Sequence, residues 1–106
     1  MAVIPQAANA TQIAVGGTSV EVFPGGINGG LIQNPLADAD QGVTAEVLYI
    51  DPTGTIPGSA PGAGNGTCFV LQPGQFWPAI PDQTTPTRAN AATTGHKFSG
   101  VMWRQP

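Results

Sequence analysis

The side chains able to do acid–base or covalent chemistry are few in this chain: one histidine, one cysteine and six acids. Nucleophilic catalysis needs a base held against a serine or cysteine and oriented by a third group. His96 stands in Gly95-His96-Lys97, far in sequence from Cys68, and no catalytic signature surrounds either residue. It reads as a structural histidine at the start of a strand. A cupin-type metal centre uses several histidines and a glutamate on neighbouring strands, which a single histidine does not supply. Asp38-Ala39-Asp40-Gln41-Gly42 opens like a calcium loop, but it lacks the third oxygen ligand and the closing bidentate glutamate. Glu46 follows at the wrong distance, so the segment reads as a capped, solvated turn. Glu21 and Glu46 read as outward-facing strand residues, and no carboxylate pair stands out for glycoside hydrolysis.

The remaining motifs are equally sparse. The glycine-rich runs 25–30 and 54–66 lack a Gly-Lys-Ser/Thr ending and a following helix, so they do not cradle phosphate. Cys68 is alone, which rules out an intrachain disulfide or a thiolate cluster. Within Thr67–Leu71 it reads as a buried, inert thiol. Asn9-Ala10-Thr11 and Asn65-Gly66-Thr67 match the glycosylation sequon, yet no secretory leader accompanies them. Trp77, Trp103, Tyr49 and Phe76 could form an aromatic sugar platform; packing in a core or interface is the competing account. No catalytic, cofactor-binding or metal residue is assigned, and no cofactor is expected.

Charge and composition narrow the class further. Three basic and six acidic residues serve 106 positions, whereas glycine and proline number 15 and 11. Much Gly and Pro often signals disorder, but disordered chains are also apolar-poor and charge-rich, whereas this one is 41% hydrophobic and only 8% charged. A compact fold of short strands and tight turns satisfies both facts. Every acid precedes Arg88, and the bases Arg88, Lys97 and Arg104 lie in residues 88–106. Nucleic acid needs clustered Lys and Arg, so no nucleic-acid partner is expected. The basic C-terminal strand could instead pair with acidic strands of the same chain or of a neighbour. No long apolar run points to a membrane span or leader.

Along the chain, residues 1–10 read as an extended N-terminal arm, because Pro5 and Asn9 interrupt any helical run. Residues 11–106 read as a single β-domain. Thr11–Val15 and Ser19–Phe23 flank Gly16-Gly17 as a hairpin, and Leu31–Gln33 is a short strand before Asn34-Pro35. Thr44–Ile50 is the strongest strand, closed by Asp51-Pro52-Thr53-Gly54. Residues 52–66 form a Gly/Pro-rich loop. Thr67–Leu71 and Gln75–Ile80 pair around Gln72-Pro73-Gly74, with Pro78 demoting the second strand to an edge or a bulge. Thr87–Ala92 is a weaker strand, and His96–Arg104 closes the fold with Phe98 and Met102 on one face, Val101 and Trp103 on the other. Seven or eight antiparallel strands without a helix predict an all-β sandwich or jelly roll. The expected core is Ile13, Val15, Val20, Val22, Val47, Tyr49, Phe69, Leu71, Phe98 and Met102, with the faces uncertain over 43–50. So small a core favours an oligomer or a docked subunit.

Three stretches carry a resemblance: Asp38–Gly54 (DADQGVTAEVLYIDPTG), Gly66–Trp77 (GTCFVLQPGQFW) and Thr94–Trp103 (TGHKFSGVMW). Together they cover roughly half the chain. They resemble small virion-associated proteins of tailed bacteriophages, in which a Leu-Tyr-Ile/Val-Asp strand precedes a Gly/Pro loop. A Gly-Thr-x-Phe-x-Leu-x-Pro-Gly-Gln segment follows, and a tryptophan strand closes the chain. The resemblance implies a non-enzymatic β-sandwich that decorates or cements a capsid shell, or a related head or tail component. It implies the major capsid protein or other virion subunits as partners, with no membrane partner. It places the protein on the capsid surface of the virion after synthesis in the host cytoplasm. The low charge, small core and apolar arm suggest a homo-oligomer or a lattice-bound subunit, a trimer by the resemblance alone, and the arm's composition suggests that it reaches across neighbours. The alternative is a carbohydrate-binding or adhesion module of a tail or surface structure.

Overall fold

The computed structural model describes residues 3–37, 46–57 and 66–104. Eight strands run through them: β1 (Ile4–Ala7), β2 (Val20–Phe23), β3 (Gly30–Gln33), β4 (Leu48–Asp51), β5 (Phe69–Leu71), β6 (Phe76–Ala79), β7 (Thr87–Asn90) and β8 (Ser99–Arg104). No helix occurs among the described residues. Two four-stranded antiparallel sheets form, ordered β1-β8-β3-β6 and β2-β7-β4-β5. Four of the pairings are nested: β1 with β8, β2 with β7, β3 with β6, and β4 with β5. The chain is thus one long antiparallel ribbon, doubled back between β4 and β5. Wrapping it places alternate rungs in opposite sheets, which is the jelly-roll form of the β-sandwich.

This wrapping overrules both local hairpins expected from the turns. Gly16-Gly17 lies between β1 and β2, and Pro73-Gly74 between β5 and β6, where the chain passes from one sheet to the other. Thr11–Val15 is not a strand of either sheet. Its main chain is held instead by the segment before β8: Ile13 N–H donates to His96 O at 2.9 Å and Phe98 N–H to Thr11 O at 3.0 Å. A glycine or proline turn permits a corner as readily as a reversal. Burial decides between them, since Val22 and Phe23 are covered only when β2 faces the opposite sheet.

The core between the sheets is built from Val22, Phe23, Ile32, Leu48, Ile50 and Met102, with Ile13, Ile27 and Phe98 supplied by connections. Of the expected core, Ile13, Val22, Leu71, Phe98 and Met102 belong to it, while Val20 and Val47 are half-buried. Tyr49 is buried on the opposite face of β4, so Leu48 and Ile50 point inward there. Val15 and Phe69 correct the expectation, at 56% and 49% exposed. Val15 sits in a turn, its carbonyl accepting from Thr18 N–H. Phe69 lies on a three-residue edge strand and is covered only in part, by the Trp77 ring 4.6 Å away. Cys68 is half-buried rather than buried.

Both edges of the first sheet carry a proline whose missing N–H faces outward. Trp103 directs its N–H and C=O toward Gly29 and Asn28, on the β3 side. Its partner across β1, Pro5, is therefore in a non-hydrogen-bonded pair and turns its nitrogen to solvent. Asn34 N–H donates to Gln75 O, so alternate β3 residues serve β6 and Leu31 does not. Pro78, opposite Leu31, is likewise placed with its nitrogen outward on β6. Neither proline interrupts a ladder, and each blunts an edge against further strand addition.

Within the expected arm, Ile4–Ala7 form β1, and all four side chains are exposed. Deleting residues 1–7 should therefore keep the β far-UV spectrum while lowering the melting temperature by several degrees. It should also promote aggregation, because the deletion bares the unblunted edge of β8. Circular dichroism melts with parallel light scattering check this, and outright loss of folding would contradict it.

Candidate functional site: the outer face of the first sheet

The one histidine is drawn into a closed polar network. His96 is buried, and its Nδ1 lies 3.0 Å from Glu46 Oε2. Its Nε2 lies 2.9 Å from Asn34 Oδ1. The Asn34 amide spends both N–H groups on main-chain carbonyls, those of Glu46 at 2.7 Å and Leu71 at 2.9 Å. Its oxygen can only accept, so His96 Nε2 carries a proton and donates it. On the other side of the ring Nδ1 pairs with the Glu46 carboxylate, whose second oxygen accepts from Thr93 Oγ1 at 2.9 Å. Glu46 is thus a half-buried lock ahead of β4, correcting its reading as an outward strand residue. Both ring nitrogens are engaged and the ring is covered, which fits a tie between segments rather than an acid or base facing substrate.

The second sheet gathers polar chemistry on its outer face. Glu21, Arg88 and Asp51 stand in one cross-strand row, with Arg88 between the two acids. Its Nε donates to Ser19 Oγ at 3.1 Å. Arg104 lies on β8, whose neighbouring strands β1 and β3 carry no acid. Asp51 is fully buried and accepts from Thr53 N–H at 2.9 Å, from Thr53 Oγ1 at 2.6 Å and from Thr67 Oγ1 at 2.8 Å. Asn90 reaches the covering loop by donating to Pro57 O at 3.0 Å. Burial holds the Cys68 thiol above its usual value, helped by the Asp51 carboxylate and opposed by a hydrogen bond from the Ile50 main chain. Burial also raises the Tyr49 phenol, with smaller contributions from Cys68 and Glu46. Such a thiol is a poor nucleophile.

The first sheet is the reverse. Alternation along β8, β3 and β6 turns Trp103, Val101, Leu31, Pro78 and Phe76 to its outer side, and Ile80 continues that row. Pro5 and Ala7 extend the face across β1, opposite Trp103 and Val101. Gln33 and Ser99 are its polar members, and no strand residue on it is charged. Phe76 is 54% exposed, Ile80 66% and Val101 37%. An antiparallel sheet with one wet face alternates apolar and polar residues; apolar residues on both faces signal a sheet covered on both sides. Among the described residues nothing covers this one.

The proposed aromatic platform is divided by the fold. Trp103 and Phe76 share the outer face, whereas Trp77 packs against the core and Tyr49 is buried on the second sheet. The Trp77 indole N–H is itself buried, with no acceptor among the described residues. Asp38, Asp40, Gln41, Gly42 and Asn65 lie outside the described residues. Among the described residues no group of three His, Cys, Asp or Glu side chains is placed to hold a metal ion. Sequence reasoning placed Val101 and Trp103 together but missed Leu31, Pro78 and Ile80 as their neighbours. The available signal was that β6 and β8 are apolar at consecutive, not alternate, positions.

Asn34→Ala would leave the Leu71 carbonyl and His96 Nε2 buried without partners. At about 1–3 kcal/mol for each unsatisfied group, urea unfolding should report a loss of roughly 2–5 kcal/mol. The raised thiol and phenol bind their protons more tightly in the folded chain than in the unfolded one. Their contribution is intact below the ordinary thiol value of about 8.5 and declines as pH climbs through the higher folded values. The melting temperature should therefore fall on the alkaline side, less steeply in Cys68→Ala; a rise there would contradict the assignment.

No protein-family model, curated protein or solved structure matches the chain.

Proposed function

We propose that the chain is a non-enzymatic structural protein of a phage virion, a decoration or cement subunit that stabilises the head shell through protein–protein contacts. The observation that carries this reading is the outer face of the first sheet, apolar, without a charged strand residue and uncovered among the described residues. A contiguous apolar face of this kind marks an interaction surface, and its lack of charge argues against a nucleic-acid or anionic partner. The phage-like segments supply the virion context. Jelly rolls are recurrent in viral capsid domains, which is analogy at the level of fold alone.

A second reading follows from one feature of the same face. Trp103 and Phe76 share it with Gln33 and Ser99, aromatic surfaces beside hydrogen-bonding groups, as a neutral glycan would require. Jelly rolls also include lectins.

The two readings part on one measurement. Purified protein is sedimented with shells assembled from the major capsid protein of the same phage, and separately screened against immobilised neutral glycans. Shell binding that Val101→Lys reduces at least tenfold, with the melting curve preserved, supports the structural role. Absence of shell binding, with glycan binding abolished by Trp103→Ala, would transfer the proposal to the adhesion module.

A further inference from the structure

We infer that the outer face of the first sheet pairs with the same face of a second copy about a two-fold axis. This rests on reading that face as a protein–protein contact and names its occupant. Charge supplies the first argument. Any partner that opposed a charge to Val101, Leu31 or Phe76 would bury it without a counter-ion, which is costly. A second copy meets the requirement without adjustment, since the face it presents is the same one, without a charged strand residue. In a two-fold arrangement each residue of the patch meets the same patch, so no charge is trapped.

The edges supply the second argument. Pro5 on β1 and Pro78 on β6 turn their nitrogens outward, and each removes a main-chain donor from an edge of this sheet. Edge-to-edge extension of this sheet between copies is therefore disfavoured. Face-on packing remains, as between the sheets of a sandwich, and two faces that meet in this way close on each other.

Area sets the strength. Four strands spaced ~4.8 Å apart, with four to six residues rising ~3.3 Å each, present roughly 250–400 Å² in projection. Two such faces lie near or below the ~1,000 Å² that a specific interface needs. The pair should be weak and concentration-dependent in solution, and strengthened where many copies sit on one assembly.

Sedimentation equilibrium over a series from low to high micromolar protein tests the inference. Wild type is expected to move from monomer to dimer across the series. Val101→Lys and Phe76→Lys, two independent changes on the face, should both stay monomeric with unchanged melting curves. Val70→Lys, on the outer side of the second sheet, should dimerise like wild type. A wild type monomeric throughout, a trimer, or a dimer indifferent to both face variants would each overturn the pairing. If the protein is monomeric yet binds shells in a Val101-dependent way, the pairing fails and the structural role stands. If neither dimerisation nor shell binding responds to the face variants, both fail.

Discussion

Asn34 is uncharged and wholly buried, and the ends of the ribbon's strands converge on its amide. Its side chain holds the carbonyl of Glu46 ahead of β4, the carbonyl of Leu71 at the end of β5, and the His96 ring ahead of β8. Its main chain meets Gly74 and Gln75 at the corner leading into β6. A jelly roll must carry its strands between two sheets, and each crossing takes main-chain groups out of a ladder. Those groups need partners, because a buried carbonyl without one is costly. A single amide with two donors and an acceptor meets several of these needs at one point. The network is fully satisfied, which lets it specify the wrapping without leaving a polar atom stranded.

The same histidine that might have suggested catalysis is consumed in that task. With Asn34 on one nitrogen and Glu46 on the other, the ring joins the approach to β8 to the approach to β4. Its polar atoms point into the fold, and Thr93 occupies the remaining carboxylate oxygen. The scarce ionisable groups thus serve the corners and the second sheet. The first sheet is left without charge on its strands' outer side.

That division separates the two faces of the molecule. The second sheet carries the Glu21–Arg88–Asp51 row and is overlain by the segment that reaches Pro57. Tyr49, Asp51 and Asn90 are buried on its outer side, while Val70 stays exposed. The first sheet places Trp103, Val101, Leu31 and Phe76 outward, with prolines sealing its two edges. Hydrophobic burial drives association without regard to direction, and the blunted edges of this sheet favour its face over its sides.

The amino-acid order by itself determined the class. Short β-branched and aromatic runs separated by Gly/Pro turns leave no stretch long enough for a helix, and low charge with ample apolar content demands a packed sandwich. It also confined Pro78 to an edge or a bulge, and determined that Phe98 and Met102 face opposite to Val101 and Trp103. Both follow from local rules: a proline lacks a donor, and side chains alternate along a strand. Strand partnership was decided only by the tertiary structure. Gly16-Gly17 and Pro73-Gly74 look like reversals because a turn motif reports that the chain bends, not which sheet it enters next. The inward turn of Leu48 and Ile50, the loss of Val15 and Phe69 from the core, and the gathering of Asn34, Glu46 and His96 all depend on segments distant in sequence. Their energies come from burial and hydrogen bonding across the wrapped ribbon, and no local pattern contains them.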